Sequence, residues 1–160
     1  MKPTPESSKT EVEINSIIRD VIRQQTVTLR KKDLNVRMDL AEDLKPCRGD
    51  KDQLERVLWN LIDNDIKFTP QAGAITLTAR MIGNNIAVSI RDTGIGIPKQ
   101  ELPNLFLEFK RLERSANTEG TGLGLFIVKT ILEAHNGTIT VESEEGSGTT
   151  FNLLLAASST

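Results

Sequence analysis

Asn60, Asn64 and Lys67 stand four and three residues apart in a stretch where Leu54, Val57, Leu58, Leu61, Ile62 and Ile66 repeat at helical spacing. On a helix the three polar side chains share one stripe and the apolar ones occupy another. Side-chain amides can ligate a metal ion or bond phosphate oxygens, and a lysine neutralises phosphate as a point charge. Alone, the stripe is more simply a solvated polar face. Asp92-Thr93-Gly94-Ile95-Gly96-Ile97 follows an alternating segment with Ile86, Val88 and Ile90, so a carboxylate leaves a strand into a turn with two glycines. Glycine lets a backbone approach a flat ligand, and a carboxylate can accept a hydrogen bond from an exocyclic amino group. Gly120-Thr121-Gly122-Leu123-Gly124-Leu125 opens a helix, whose unpaired N–H groups and positive dipole end suit phosphate. No strand precedes that glycine run and no Walker lysine accompanies it, so neither dinucleotide nor P-loop patterns apply. Each signal is weak singly; what gives the polar stripe weight is the company it keeps.

The elements that must position these residues are legible from periodicity. Residues 1–9 are a proline- and serine-containing lead-in or linker remnant. Residues 11–29 read as a helix through Ile14, Ile17, Ile18, Val21, Ile22 and Leu29, with Gln25 interrupting the stripe. Residues 34–40 alternate as a half-buried strand, and 52–68 form the helix of the polar stripe, stopped by Thr69-Pro70. Ile75, Leu77 and Ala79, then Ile86, Val88 and Ile90, form a hairpin across Gly83-Asn84-Asn85. Residues 93–122 mix glycine, proline and charge over a span too long for an ordinary connection, which marks a functional lid. A helix over 123–134 ends at Asn136-Gly137, strands follow at 138–143 and 149–155, and 156–160 read as frayed. The expected fold is an α/β two-layer sandwich, a mixed and mostly antiparallel sheet covered on one face by three helices.

Composition narrows the function. With 160 residues and 38% apolar side chains, one domain is expected, spanning 10–155. Twenty basic against 22 acidic residues give a net charge of −2 without a like-charge block, which argues against nucleic-acid binding. No apolar run reaches the length of a membrane span, and no secretory leader is apparent, so the expectation is a soluble, cytoplasmic domain without membrane contact. One cysteine, Cys47, and one histidine, His135, leave little material for a disulfide framework, a zinc site or a serine–histidine triad.

Four segments, in order, carry a family resemblance. Asn60-Leu61-Ile62-Asp63-Asn64-Asp65-Ile66-Lys67-Phe68-Thr69-Pro70 resembles the N box of sensor histidine kinases, and Asp92 to Ile97 their G1 box. Leu105-Phe106-Leu107-Glu108-Phe109-Lys110-Arg111 resembles the F box, and Gly120 to Leu125 the G2 box. Gly49-Asp50, Ala134-His135-Asn136-Gly137 and Gly146-Ser147-Gly148-Thr149 extend the match, which covers residues 11–155. The resemblance is to the ATP-binding catalytic domain with the Bergerat fold shared by gyrase, the ninety-kilodalton heat-shock chaperone and MutL.

The resemblance implies a set of roles. Asn64 would ligate Mg²⁺ on the triphosphate of ATP, Asn60 would stand beside it, and Lys67 would contact phosphate. Asp92 would accept from the adenine amino group, with Gly94 and Gly96 admitting the base. Gly122 and Gly124 would offer N–H groups to phosphate, with Thr121 and Leu123 in the same binding box. Residues 98–119 would form the ATP lid, hinged by Phe106 and Phe109, and either Arg111 or Arg114 would reach the γ-phosphate. Asn60 replaces the glutamate that serves hydrolytic relatives as general base, and a neutral amide cannot accept that proton. The implied activity is transfer of the γ-phosphoryl to a histidine on a separate dimerisation and phosphoacceptor hairpin, with a response regulator downstream and this domain itself monomeric. His135 would be a helix-end residue favouring the dipole. Asp65 departs from the family, which has Ala or Gly there; it either sets a second carboxylate near Asp92 or turns away to solvent or an arginine. The alternatives are an anti-sigma type serine kinase on the same fold and a non-catalytic nucleotide-binding module.

Overall fold

The computed structural model describes residues 9–107 and 124–158. In chain order these form β1 (Thr10–Val12), α1 (Ile14–Gln24), α2 (Thr26–Lys31), β2 (Asn35–Leu40), β3 (Cys47–Gly49), α3 (Lys51–Phe68), β4 (Ala74–Ile82) and β5 (Asn85–Asp92). A 3₁₀ helix (Lys99–Asn104), α4 (Gly124–Ala134), β6 (Thr138–Glu144) and β7 (Gly148–Ala156) follow.

The alternating segments pair into one five-stranded sheet of order β2-β4-β5-β7-β6. Only β2 and β4 are parallel; the other three pairs are antiparallel. Ile75, Leu77 and Ala79 of β4, Ile86, Val88 and Ile90 of β5, and Phe151, Leu153 and Leu155 of β7 point to one face. There they join Ile17, Ile18 and Val21 of α1, Val57, Leu61 and Ile62 of α3, and Val128, Ile131 and Leu132 of α4 in one core cluster. The polar partners in the alternation, such as Thr76, Ser89 and Asn152, face away from the helices. This is the expected two-layer Bergerat sandwich, with α1, α3 and α4 as its helical layer.

Several boundaries differ from the sequence expectation. The helix expected over 11–29 yields its first residues to β1, which pairs with β3 in a separate two-stranded sheet. Strands of three residues are too short to carry a period of two, and this pairing is non-local. Gln25 then breaks the helix: at φ −96° and ψ 7° its N–H is shared between the Val21 and Ile22 carbonyls, and α2 restarts at Thr26. Met38 follows the alternation of β2 but stays 43% exposed, because β2 is an edge strand. The tail expected to fray is instead tied down as far as Ser158. Ala157 donates to Asn84 O, Ser158 N to Pro46 O, and Ser158 Oγ to Glu11 Oε1 at 2.9 Å. The β4–β5 hairpin turns on two residues, of which only Gly83 takes a positive φ, 61°. At the end of α4 it is Asn136, φ 57°, that turns left-handed while Gly137 N–H bonds back to Leu132 O.

Candidate functional site

The helix that carries the polar stripe is fixed at both ends. Asp50 caps α3, its carboxylate accepting from Gln53 N–H at 3.1 Å, an arrangement worth about 1 kcal/mol. At the other end Thr69, forced out of helical geometry by Pro70, sits at φ −101° and ψ 123°. Its hydroxyl donates to Asp65 O at 2.6 Å. Lys32 Nζ donates to Ile66 O at 2.6 Å, placing an ammonium on the carbonyl end of the helix where the dipole favours it.

Between these ends, Asn60 and Asn64 are half-buried one turn apart and Lys67 is exposed. The Asn64 side-chain nitrogen is buried without a hydrogen-bond partner among the described residues. That amide is not spent on holding the fold, which suits a residue whose partner is a ligand. Lys67 Nζ lies 3.1 Å from Asp63 Oδ2 in an exposed i,i+4 pair, an interaction of about 0.3–0.5 kcal/mol that a phosphate can outcompete.

Asp92 closes β5 with 2% of its surface exposed. Its Oδ1 accepts from Gly94 N–H at 2.8 Å and from Thr149 N–H at 3.2 Å, and among the described residues both bonds to this carboxylate end on that oxygen. The turn after Asp92 abuts the end of α3: Ile95 N–H donates to Phe68 O at 3.2 Å. A Cβ at Gly94 would run into that same Phe68 carbonyl, and one at Gly96, φ 74°, into the Glu144 carbonyl. Both glycines are thus required by contacts within the protein, whatever further room they leave for a ligand.

Thr149 and its neighbours were quoted in the sequence only as part of a motif, yet they support the carboxylate directly. Gly148, φ 102°, has no side chain because a Cβ there would strike Asp92 O, and this approach delivers the Thr149 N–H. Ser143 Oγ accepts from Ile97 N–H at 2.8 Å and donates to Gly148 O at 3.0 Å, joining the β6–β7 hairpin to the turn after Asp92. The signal was the run Gly146-Ser147-Gly148-Thr149, whose glycine at 148 marks a close backbone approach.

Phe106 is half-buried against the core, beside the fully buried Leu105, as a hinge packed on the body requires. Gly124 starts α4, and among the described residues nothing lies near the place a Cβ would fill. Phe109, Arg111, Arg114, Thr121, Gly122 and Leu123, with the rest of 108–123, lie outside the described residues. Asp65 is 0% exposed, which removes the solvent-facing alternative for this carboxylate. His135 corrects the expectation of a charge placed for the dipole. It is buried and accepts the Asp50 N–H on Nε2 at 3.0 Å, so the ring is neutral there.

The residues present fit a magnesium-bound purine triphosphate: near the end of α3 stand an amide whose nitrogen has no partner among the described residues and a lysine that forms an exposed pair with Asp63, and the turn after the buried Asp92 carboxylate abuts that helix end. Comparison with known proteins agrees. The histidine kinase-, DNA gyrase B-, and HSP90-like ATPase family matches residues 49–159, and the chain belongs to it. It is 38% identical over 146 residues, 91% of its length, to the adaptive-response sensory kinase SasA of Synechococcus elongatus, and spans 38% of that relative. To the sensor-like histidine kinase SenX3 of Mycobacterium bovis it is 37% identical over 150 residues, 92% of its length and 36% of the relative. Among solved structures, the catalytic domain of histidine kinase ThkA superposes with a TM-score of 0.83 at 28% identity, covering 93% of this chain and 97% of that one. Full-length ShkA in complex with AMPPNP superposes with a TM-score of 0.82 at 28% identity, covering 96% and 32%. The chain therefore contains a histidine-kinase-type ATP-binding domain.

Proposed function

We propose that the chain binds Mg²⁺-ATP between α3 and the turn after Asp92, and presents the γ-phosphoryl to a histidine on a separate helical hairpin. The observation that carries this reading is Asp92, a buried carboxylate whose Oδ1 is anchored by two N–H donors, leaving Oδ2 to accept from the adenine amino group. Asn64 would hold Mg²⁺ with Asn60 beside it, and Lys67 would leave Asp63 for a phosphate oxygen. Bound there, the ion would supply positive charge to neutralise the phosphates. Gly122 and Gly124 would offer N–H groups to the phosphates, and Arg111 or Arg114 would meet the γ-phosphate across the lid. Asn60, being neutral, cannot serve as the general base for water at that position, which disfavours efficient hydrolysis and leaves positioning and electrostatic stabilisation as the chemistry. The similarity to SasA and SenX3, both named as kinases, supports transfer to a protein histidine, and a response regulator as the next acceptor and the cytoplasm as the setting belong to the same proposal.

The test uses γ-labelled ATP and a separately produced histidine-bearing hairpin of a relative such as SasA. Acid-labile label on the hairpin is the expected result. Acid-stable label would favour a serine kinase, and none in the presence of measurable ATP binding a non-catalytic module.

A further inference from the structure

The imidazole of His135 joins the two helices that the nucleotide reading places on opposite sides of the phosphates. A backbone amide can only donate, so the 3.0 Å contact from Asp50 N to Nε2 makes Nε2 the acceptor. The ring proton is then on Nδ1, which donates to Ile131 O at 2.8 Å. Asp50 is the cap of α3 and Ile131 lies in the last turn of α4, so one ring ties the start of α3 to the end of α4. The approach is tight: a Cβ at Gly49 would lie 2.7 Å from the ring Cδ2 and 2.9 Å from Leu54 Cδ1. Lys9 Nζ, from the segment entering the domain, donates to Ala134 O at 3.3 Å beside it.

With the start of α3 against the end of α4, the helices run antiparallel, and their other ends carry Asn64 and Gly124. Fourteen residues of helix at 1.5 Å each put the joint about 21 Å from Asn64 along the axis. Apolar side chains pack α3 and α4 together along their length, and at this end a single acceptor receives a single N–H, which fixes how far one helix can slide along the other. We infer that His135 is a positioning residue for nucleotide binding: its Nε2 sets the axial position of α3 relative to α4, and filling the nucleotide site is felt at the Asp50 N–H. The inference rests on the nucleotide reading but goes beyond it, since none of the residues at this joint touches the ligand.

The test is a titration of the isotope-labelled chain with Mg²⁺-AMPPNP, following the Asp50 amide and the His135 ring nitrogens by NMR, beside calorimetry on His135→Leu and His135→Gln. The wild-type ring should show an unprotonated Nε2, and the Asp50 amide should shift with the same midpoint as the heat. His135→Leu, which lacks an acceptor, should weaken nucleotide binding at least fivefold at a temperature where it is fully folded. His135→Gln, whose amide oxygen can reach the Asp50 N–H, should return within twofold of wild type. A purely structural histidine would lower the melting temperature of His135→Leu and leave its dissociation constant unchanged, and that result overturns the inference. Should the leucine variant not fold, an Asp50 amide that stays still through saturation overturns it instead. Heat of binding with a silent Asp50 amide sinks this inference alone; absence of any binding sinks the nucleotide reading as well.

Discussion

Asp92 bears its charge out of water, and the two N–H donors on Oδ1 stabilise it there without occupying the whole carboxylate. Asp92→Asn retains an oxygen for both donors but turns the other end of the group from acceptor into donor, facing an adenine amino group that is also a donor. Hydrogen bonds to charged groups contribute about 1.5–3 kcal/mol, so ATP affinity should fall roughly ten- to a hundredfold in titration calorimetry while circular dichroism stays that of the wild type. Asp65 sets the opposite expectation. It is fully buried on the residue after Asn64, and a carboxylate ionised there would oppose a polyanionic ligand at the proposed site. Asp65→Ala should tighten ATP binding several-fold, and an unchanged dissociation constant would show that this charge does not reach the ligand.

The glycines, read as one class in the sequence, divide at the level of elements. Gly96 is needed because the end of β6 closes over it, whereas among the described residues nothing lies near a Cβ at Gly124. Gly96→Ala should therefore destabilise the domain by about 2 kcal/mol or more, measured by urea unfolding, through a backbone clash and a positive φ. Gly124→Ala should unfold like the wild type yet bind nucleotide more weakly if its N–H approaches phosphate. Sequence periodicity located α3, the β4–β5 hairpin and α4 because each buries a continuous apolar face through its own residues. It could not locate β1 and β3, whose three residues apiece are strands only by pairing with each other. Nor could it separate structural from ligand-facing glycines, since the Glu144 carbonyl that excludes a side chain at Gly96 is nearly fifty positions away. The positions of Asp92 and Asn64 in the fold were legible because their settings are local, at a strand end and on a helix stripe. Thr149 was not, because only the β5–β7 register brings its N–H to Asp92.

At the scale of the whole molecule, segments near both ends of the described residues meet at β3: β1 pairs with it and Ala157 bridges Cys47. Burial, with Glu11 adding to it, pushes the Cys47 thiol above its ordinary value of 9.0. The folded state thus favours the neutral thiol, a stabilisation present below that value and lost as pH rises past it. Wild type should lose stability relative to Cys47→Ala as pH rises past about 9 in urea unfolding, and parallel pH profiles would refute this. Among the described residues no helix is long and apolar enough to cross a membrane, and the five-stranded sheet carries Asp92 to the proposed nucleotide site. The most direct trial of that site is a crystal structure of the chain grown with Mg²⁺ and AMPPNP. The account predicts the adenine amino group on Asp92 and the metal on Asn64; a nucleotide bound elsewhere, or a cleft between α3 and the Asp92 turn filled by protein, would contradict it.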